Sequence, residues 1–307
     1  MDRELEVIAR TLERADLSDV AAARRSLAAV VADRPASLSG VDVFEATVAG
    51  AGGDVPVRVY RPRDPAAAGV LLFMHGGAFV LGGLDTEHTR CLAYSAAAAC
   101  TVVSVDYRLA PENPYPAGLD DCITVARWLA GGGAASLGAD PARIAVGGAS
   151  AGGGLAACVA LHERDTVGCP FVFQLLVYPV IDDRVATPSM ARFRQLAPWD
   201  GEASALMWRL YLGERRSEPV SCYAAAGRAE DLGGLPATYV TTTEIDPLRD
   251  EGLDYARRLV AAGVEVEIHH LPGTFHGFDV HAPDAAVTRR ALREQAGALR
   301  RVIGPVD

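Results

Sequence analysis

Apolar and polar positions along this chain keep two periods, and the period switches repeatedly from one end to the other. Leu5, Ile8, Ala9 and Leu12 recur at i, i+3, i+4 and i+7, the spacing of one helix face. A second helix is expected over residues 18–33. Val41 to Thr47 and Val55 to Tyr60 alternate with period two, which predicts two strands around the turn at Gly50–Gly53. Val70 to His75 is a short apolar run and reads as a buried strand. Helices are then expected over 86–99, 117–130, the stretch after Ser150, 248–262 and 284–303. Strands are expected at Thr101–Val105, Arg143–Val146, Phe171–Tyr178, Thr238–Thr243 and Val264–His270. Strands that alternate with helices predict an α/β fold: an eight-stranded, mostly parallel sheet covered on both faces, with the front hairpin added antiparallel at one edge.

One segment breaks the alternation. Residues 182–236 hold no clear strand, and they carry Met190, Trp199, Met207, Trp208 and Tyr211 among charges and prolines. A long insertion between two strands predicts a lid or a peripheral helix pair. At 307 residues the chain fits one large domain, 1–307, with such an appendage.

The stretch Gly147–Gly154, GGASAGGG, lies between a predicted strand and a predicted helix. Two chemistries use a glycine turn there. Gly152-x-Gly154-x-x-Ala157 matches the dinucleotide fingerprint, in which backbone N–H groups hold a pyrophosphate. Gly148-x-Ser150-x-Gly152 matches the turn that thrusts a nucleophilic serine out of a sheet. The dinucleotide reading needs an acidic residue near the end of the next strand, and Leu175–Pro179 has none before Asp182.

Composition narrows the field. Net charge is −10, which argues against nucleic acid and anionic membranes as partners. The arginine pairs Arg24-Arg25, Arg215-Arg216, Arg257-Arg258 and Arg289-Arg290 are scattered and read as solvated helix faces. All 29 basic residues are arginine. Without lysine there is no phosphate-binding P-loop and no Schiff-base chemistry. The N-terminal twenty residues are charged throughout and do not read as a signal peptide. No apolar run is long enough to predict a membrane span. The six cysteines have no C-x-x-C spacing, so free thiols in a reducing cytoplasm are expected.

A lone G-x-S-x-G is weak evidence. An acyl-transfer serine needs a base, an acid that orients the base, and N–H donors for the oxyanion. His75-Gly76-Gly77-Ala78-Phe79 follows the predicted strand at Val70–Met74. In a serine hydrolase of this architecture, that loop and the residue after the serine, here Ala151, supply the donors. Asp246 follows a predicted strand and precedes Pro247. That placement also suits a helix N-cap, and Glu244, Asp250 and Asp254 compete with it as the acid. His276 follows the last predicted strand. His88 and His162 fall on predicted helices, and the adjacent His269 and His270 point to opposite faces of a strand. The order Ser150, Asp246, His276 is that of an α/β-hydrolase triad. His269, His276, Asp279 and His281 are metal-ligand types, but no H-E-x-x-H places them on one element, so no metal is expected.

HGGAFVLGG (75–83), DYRLAPENPYPAGLDD (106–121), GASAGGG (148–154), ALMWRLYLG (205–213), EIDPLRDEG (244–252) and FHGF (275–278) together resemble the bacterial hormone-sensitive-lipase-like esterases of the α/β-hydrolase superfamily. The similarity runs from about residue 40 to the end. It implies Ser150 as nucleophile, His276 as general base, and Asp246 as orienting acid and cap residue in one. It implies oxyanion donors at Gly77, Ala78 and Ala151, with Gly76 shaping the loop. It also implies a cap formed by residues 1–40 and 182–220. The aromatic residues Trp199, Trp208 and Tyr211 of that cap suggest an apolar substrate pocket. Ala149 and Gly154 depart from the family's GDSAGGN, Ala78 replaces the third glycine of HGGG, and Asn113 stands where a histidine is frequent.

The resemblance implies a carboxylesterase for short to medium acyl chains that works without a cofactor on small-molecule esters. The same triad would serve another acyl bond: an acetylated metabolite, a formamide or an amide. A non-catalytic receptor of the plant gibberellin type would have lost the base, which FHGF retains. A homodimer paired along the last sheet-edge strand is a further expectation.

Overall fold

The computed structural model describes residues 1–32, 38–63, 68–214 and 219–305. The last residue of the expected second helix, Asp33, and the pair Arg215-Arg216 lie outside the described residues, as do 33–37 and 215–218 of the expected cap.

In chain order the elements begin with α1 (Arg3–Ala9) and α2 (Val20–Val31), followed by β1 (Val41–Val48), β2 (Val55–Pro62) and β3 (Val70–Met74). Next come α3 (His88–Ala98), β4 (Thr101–Val105), α4 (Ala117–Trp128), the one-turn α5 (Ala134–Ser136), β5 (Ile144–Ala149), α6 (Ala151–Thr166) and β6 (Phe171–Val177). The insertion carries α7 (Pro188–Arg192) and α8 (Gly201–Leu212). The chain closes with β7 (Ala237–Ile245), α9 (Arg249–Ala261), β8 (Val266–Phe275), α10 (Phe278–His281) and α11 (Ala286–Ile303).

The eight strands form one sheet in the order β1-β2-β4-β3-β5-β6-β7-β8. β1 and β2 are antiparallel, as are β2 and β4. From β4 to β8 every pairing is parallel. The expected sheet, with its antiparallel front hairpin, is therefore the observed one. Two cores follow from the two-residue period of β3. Val70, Leu72 and Met74 face one side with residues of α4, α6 and α9. Leu71 and Phe73 face the other with residues of α3 and α11. The chain leaves β3 for β4 on one side and returns to β5 on the other. That reversal opens a crevice at the carboxyl ends of β3 and β5, where ligands bind in open α/β sheets.

Two strands run well past the ends read from the sequence. β5 runs on to Ala149, because Gly147 and Gly148 pair with Phe73 and Met74 on one side and with Leu175 and Leu176 on the other. β8 runs on to Phe275 instead of ending near His270. A proline at 272 is tolerated because β8 is an edge strand and has a free side. Leu12 lies beyond the end of α1. Within 182–236 the described residues contain no strand, as expected.

The start of α9 fastens the insertion to the sheet. Glu251 is 3% exposed, and one carboxyl oxygen accepts the Ile181 N–H at 2.7 Å. Its other oxygen has no hydrogen-bond partner among the described residues. Burial drives its pKa well above the usual carboxyl range; the Ile181 N–H opposes this and the charge of Asp182 adds to it. A carboxyl whose folded pKa is raised stabilises the fold below its unfolded pKa, and that contribution is lost as pH rises through the folded value. Glu251→Gln should therefore melt at a higher temperature than wild type at neutral pH. Melting curves between about pH 4 and pH 8 should show the gap opening as pH rises, and a gap independent of pH would contradict this account of Glu251.

Candidate active site

Each of the four segments singled out in the sequence follows the carboxyl end of a parallel strand: His75 after β3, Ser150 after β5, Asp246 after β7 and His276 after β8. Ser150 joins β5 to α6 with φ +56° and ψ −119°, a conformation that L-residues avoid. Its N–H donates to Val177 O at 2.9 Å, and its own carbonyl accepts from the Val180 and Gly154 N–H groups, both at 3.0 Å. Gly152 is required by crowding. A Cβ there would lie 2.1 Å from Met74 O and 2.5 Å from His75 O, so the first turn of α6 rests on the end of β3. This also removes the dinucleotide alternative, since the glycine's open space is filled by backbone.

The serine hydroxyl is 2.9 Å from His276 Nε2. His276 Nδ1 is 2.8 Å from Asp246 Oδ2. Because a carboxylate only accepts, the imidazole proton belongs on Nδ1, which leaves Nε2 to accept from the serine. Asp246 is fully buried. Its Oδ1 accepts the Leu248 N–H at 2.8 Å, and its Oδ2 accepts the Thr243 hydroxyl as well. The cap expectation for Asp246 holds in part: it takes a backbone N–H, yet α9 itself begins at Arg249 with Leu248 at its N-cap. Glu244, Asp250 and Asp254 are engaged elsewhere, with Gly273, Ser189 and Arg257 respectively.

The loop after β3 turns through three successive positive φ values, +124° at Gly77, +59° at Ala78 and +61° at Phe79. Its carbonyls are fastened. His75 O accepts from Tyr107 Oη, Gly77 O from the Val80 and Leu81 N–H groups, and Phe79 O from the Ala110 N–H. The N–H groups of Gly77, Ala78 and Ala151 donate to no acceptor among the described residues. Gly77 cannot be replaced, since a Cβ would fall 2.2 Å from Leu81 O. Ala78 takes the left-handed conformation at a cost of roughly 1–2 kcal/mol and still presents its N–H. Gly76 lines the site, and a Cβ there would meet Ser150 Cβ at 3.6 Å. Of the departures from the family motif, Gly154 has a local cause: a Cβ would stand 2.2 Å from Val180 O. Ala149 is buried, and nothing in the structure explains the choice of Asn113.

A cavity of about 480 Å³ opens over Ser150 and His276. Residues of the N-terminal segment form its roof, among them Leu12, Leu17, Leu27 and Val30, and the insertion adds Pro198 and Trp199. Two arginines pin the roof. Arg14 donates to Asp200 at 2.6 Å and to Glu202 at 2.9 Å. Arg24 donates to Val80 O at 2.8 Å and to the Glu112 carboxylate. Trp199 lies where a pocket residue was expected, with its ring centroid 6.1 Å from that of His276. Trp208 and Tyr211 do not line this cavity and require a correction. The phase of α8 turns both toward the core, where Tyr211 stacks on Phe79 at 4.0 Å and Trp208 lies 5.7 Å from it. They support the loop after β3 from beneath. The roof leucines and Tyr178 are wall residues that sequence reasoning missed. The amphipathic pattern of α2 was visible, but the surface it faces was not.

The metal-ligand types are dispersed. His269 bonds Glu267 and Glu294, while Asp279 bonds Arg90. Among the described residues no cluster of three or more His, Cys, Asp or Glu could hold a metal ion, and no helix is long and apolar enough to cross a membrane.

A family model described as the alpha/beta hydrolase fold matches residues 71–280. The chain belongs to this family. Esterase LipI of Mycobacterium tuberculosis is 42% identical over 264 residues, which are 85% of this chain and 82% of that protein. Among solved structures, esterase LipW of Mycobacterium marinum superposes with a TM-score of 0.89 at 43% identity, covering 98% of this chain and 96% of that one. A structure described as a bacterial heroin esterase gives a TM-score of 0.93 at 40% identity, covering 99% and 98%. The resemblance to hormone-sensitive-lipase-like esterases is thereby borne out, and the chain is a carboxylic ester hydrolase.

Proposed function

We propose that the protein hydrolyses short to medium acyl esters through Ser150, His276 and Asp246. The observation that carries this reading is the unbroken chain from Ser150 Oγ to His276 Nε2 at 2.9 Å and from His276 Nδ1 to Asp246 at 2.8 Å. Three backbone N–H groups that have no acceptor among the described residues stand beside it. His276 takes the serine proton as Oγ attacks the ester carbonyl. Negative charge then develops on the carbonyl oxygen, where the N–H groups of Gly77, Ala78 and Ala151 receive it. Each such donor is typically worth about 10²–10³ in rate. The buried Asp246 carboxylate stabilises the imidazolium and keeps its tautomer. His276 returns the proton to the leaving alcohol, and water repeats the sequence on the acyl-enzyme.

The cavity supports the size class. A volume of about 480 Å³ under an apolar roof suits one small-molecule ester. We extend the cap reading to residues 1–40 and 182–220, since the described parts of both meet over the site. The six free thiols, four of them buried, fit a reducing compartment such as the cytoplasm.

Purified protein should turn over p-nitrophenyl butyrate faster than the palmitate ester. Ser150→Ala should lower kcat by about 10⁴-fold or more; equal rates for wild type and variant would refute the assignment. Among the described residues no further strand pairs with β8. The Asp2 N–H occupies Gly273 O near its end, and the earlier part leaves Ile268 43% exposed, which favours a homodimer paired along that part of the strand. Light scattering at micromolar concentration should give twice the chain mass, and a monomer there would contradict the dimer.

A further inference from the structure

β8 carries His276 at its end, and β8 has a sheet neighbour on one side only. The turn after it must be held by something other than the sheet. Asp279 lies three residues past His276 in that turn and is 7% exposed. Tyr178 Oη donates to Asp279 Oδ1 at 2.6 Å. Arg90 Nη2 donates to Asp279 Oδ2 at 2.8 Å and to Tyr178 Oη at 3.0 Å. The ring of Tyr178 also packs edge-on against the His276 imidazole, with centroids 4.9 Å apart.

The same guanidinium reaches the other half of the site. Arg90 Nε donates to Glu87 Oε2 at 2.6 Å. Glu87 is 4% exposed, and its Oε1 lies 3.4 Å from the point a Cβ on Gly76 would occupy. Glu87 therefore underlies the start of the oxyanion loop. Nη1 completes the fork, donating to Tyr94 Oη at 3.3 Å and Gln295 Oε1 at 3.4 Å.

We propose that Arg90 is a positioning residue for the hydrolysis. Its guanidinium ties the turn that carries His276 to the segment beneath Gly76 and Gly77, and so sets the distance between the base and the oxyanion donors. The proposal rests on the roles given above to Ser150 and His276. Two physical points support it. The fork is used in full, with acceptors on all three nitrogens, which a lysine cannot reproduce. Two buried carboxylates would face each other across the site without the positive charge. Burial alone would raise the pKa of Asp279, yet the Arg90 charge and the Tyr178 hydroxyl hold it below the usual range.

The test is steady-state kinetics on p-nitrophenyl butyrate for wild type, Arg90→Lys, Tyr178→Phe, Asp279→Asn and the last two combined, with Ser150→Ala beside them. Competent sites are counted by the stoichiometric release of p-nitrophenol from an organophosphate. A small displacement of a reacting group costs up to about 10²-fold in rate. The expected result is a fall of about 10–100-fold in kcat per competent site with KM within about threefold. The combined variant should be no slower than the slower single, because both changes break one anchor. Folded variants whose surviving sites keep kcat within about twofold of wild type would overturn the proposal, and so would a rise in KM with kcat intact. If Arg90→Lys does not fold, Tyr178→Phe decides, since it removes one hydroxyl and keeps the ring. A wild type no faster than Ser150→Ala would instead overturn the parent assignment, and Arg90's role with it.

Discussion

Ser150 sits in a backbone conformation it would not adopt alone, and the geometry of the site depends on what holds it there. The end of β6 accepts its N–H through Val177 O, and the segment beyond β6 binds its carbonyl through the Val180 N–H. A residue held so can cost of order 1–3 kcal/mol, and the surrounding sheet has to impose it. The same constraint fixes α6. Gly152 allows that helix to rest on Met74 O, the last carbonyl of β3, where the His75–Phe79 loop begins. The separation between the serine and the N–H groups of Gly77 and Ala78 is thus set by backbone contact between β3, β5 and α6. No flexible side chain intervenes.

The fold was legible because each element keeps its own period. The buried strands are short apolar runs, the helices have apolar stripes, and their alternation leaves few topologies. The ends of β5 and β8 were less legible. Gly147 and Gly148 look like turn residues, and Pro272 looks like a strand break, yet each is accommodated by its place in the sheet. Ser150 and His276 stand out as candidates from motif, chain order and strand ends. Residue type and position alone left Asp246 in competition with Glu244, Asp250 and Asp254, because a carboxylate near a helix start has an ordinary capping role; only the resemblance of EIDPLRDEG singled it out. Three-dimensional contact separates them.

The pocket was the least legible part. Trp208 and Tyr211 are large, apolar and in the right insertion, so composition favoured them. Their helix presents them to the core beneath Phe79, and the wall over the serine comes largely from residues 11–30. Nothing local in α2 says which surface its apolar face will meet. That contact is made by Arg24 reaching Val80 O, and by Arg14 reaching Asp200 on the other side. The N-terminal segment and the insertion are joined at Ala15 and Pro198, so the roof and Trp199 form one continuous covering over His276.

The central claim is that Ser150 is the nucleophile and His276 its base. Covalent labelling tests it most directly. The protein would be treated with diethyl p-nitrophenyl phosphate, digested, and its peptides sequenced by mass spectrometry, with His276→Ala treated in parallel. The account predicts one phosphoryl adduct, on Ser150 within the GGASAGGG stretch, formed far more slowly in the variant. An adduct on another residue, or labelling of Ser150 at the same rate without His276, would contradict it.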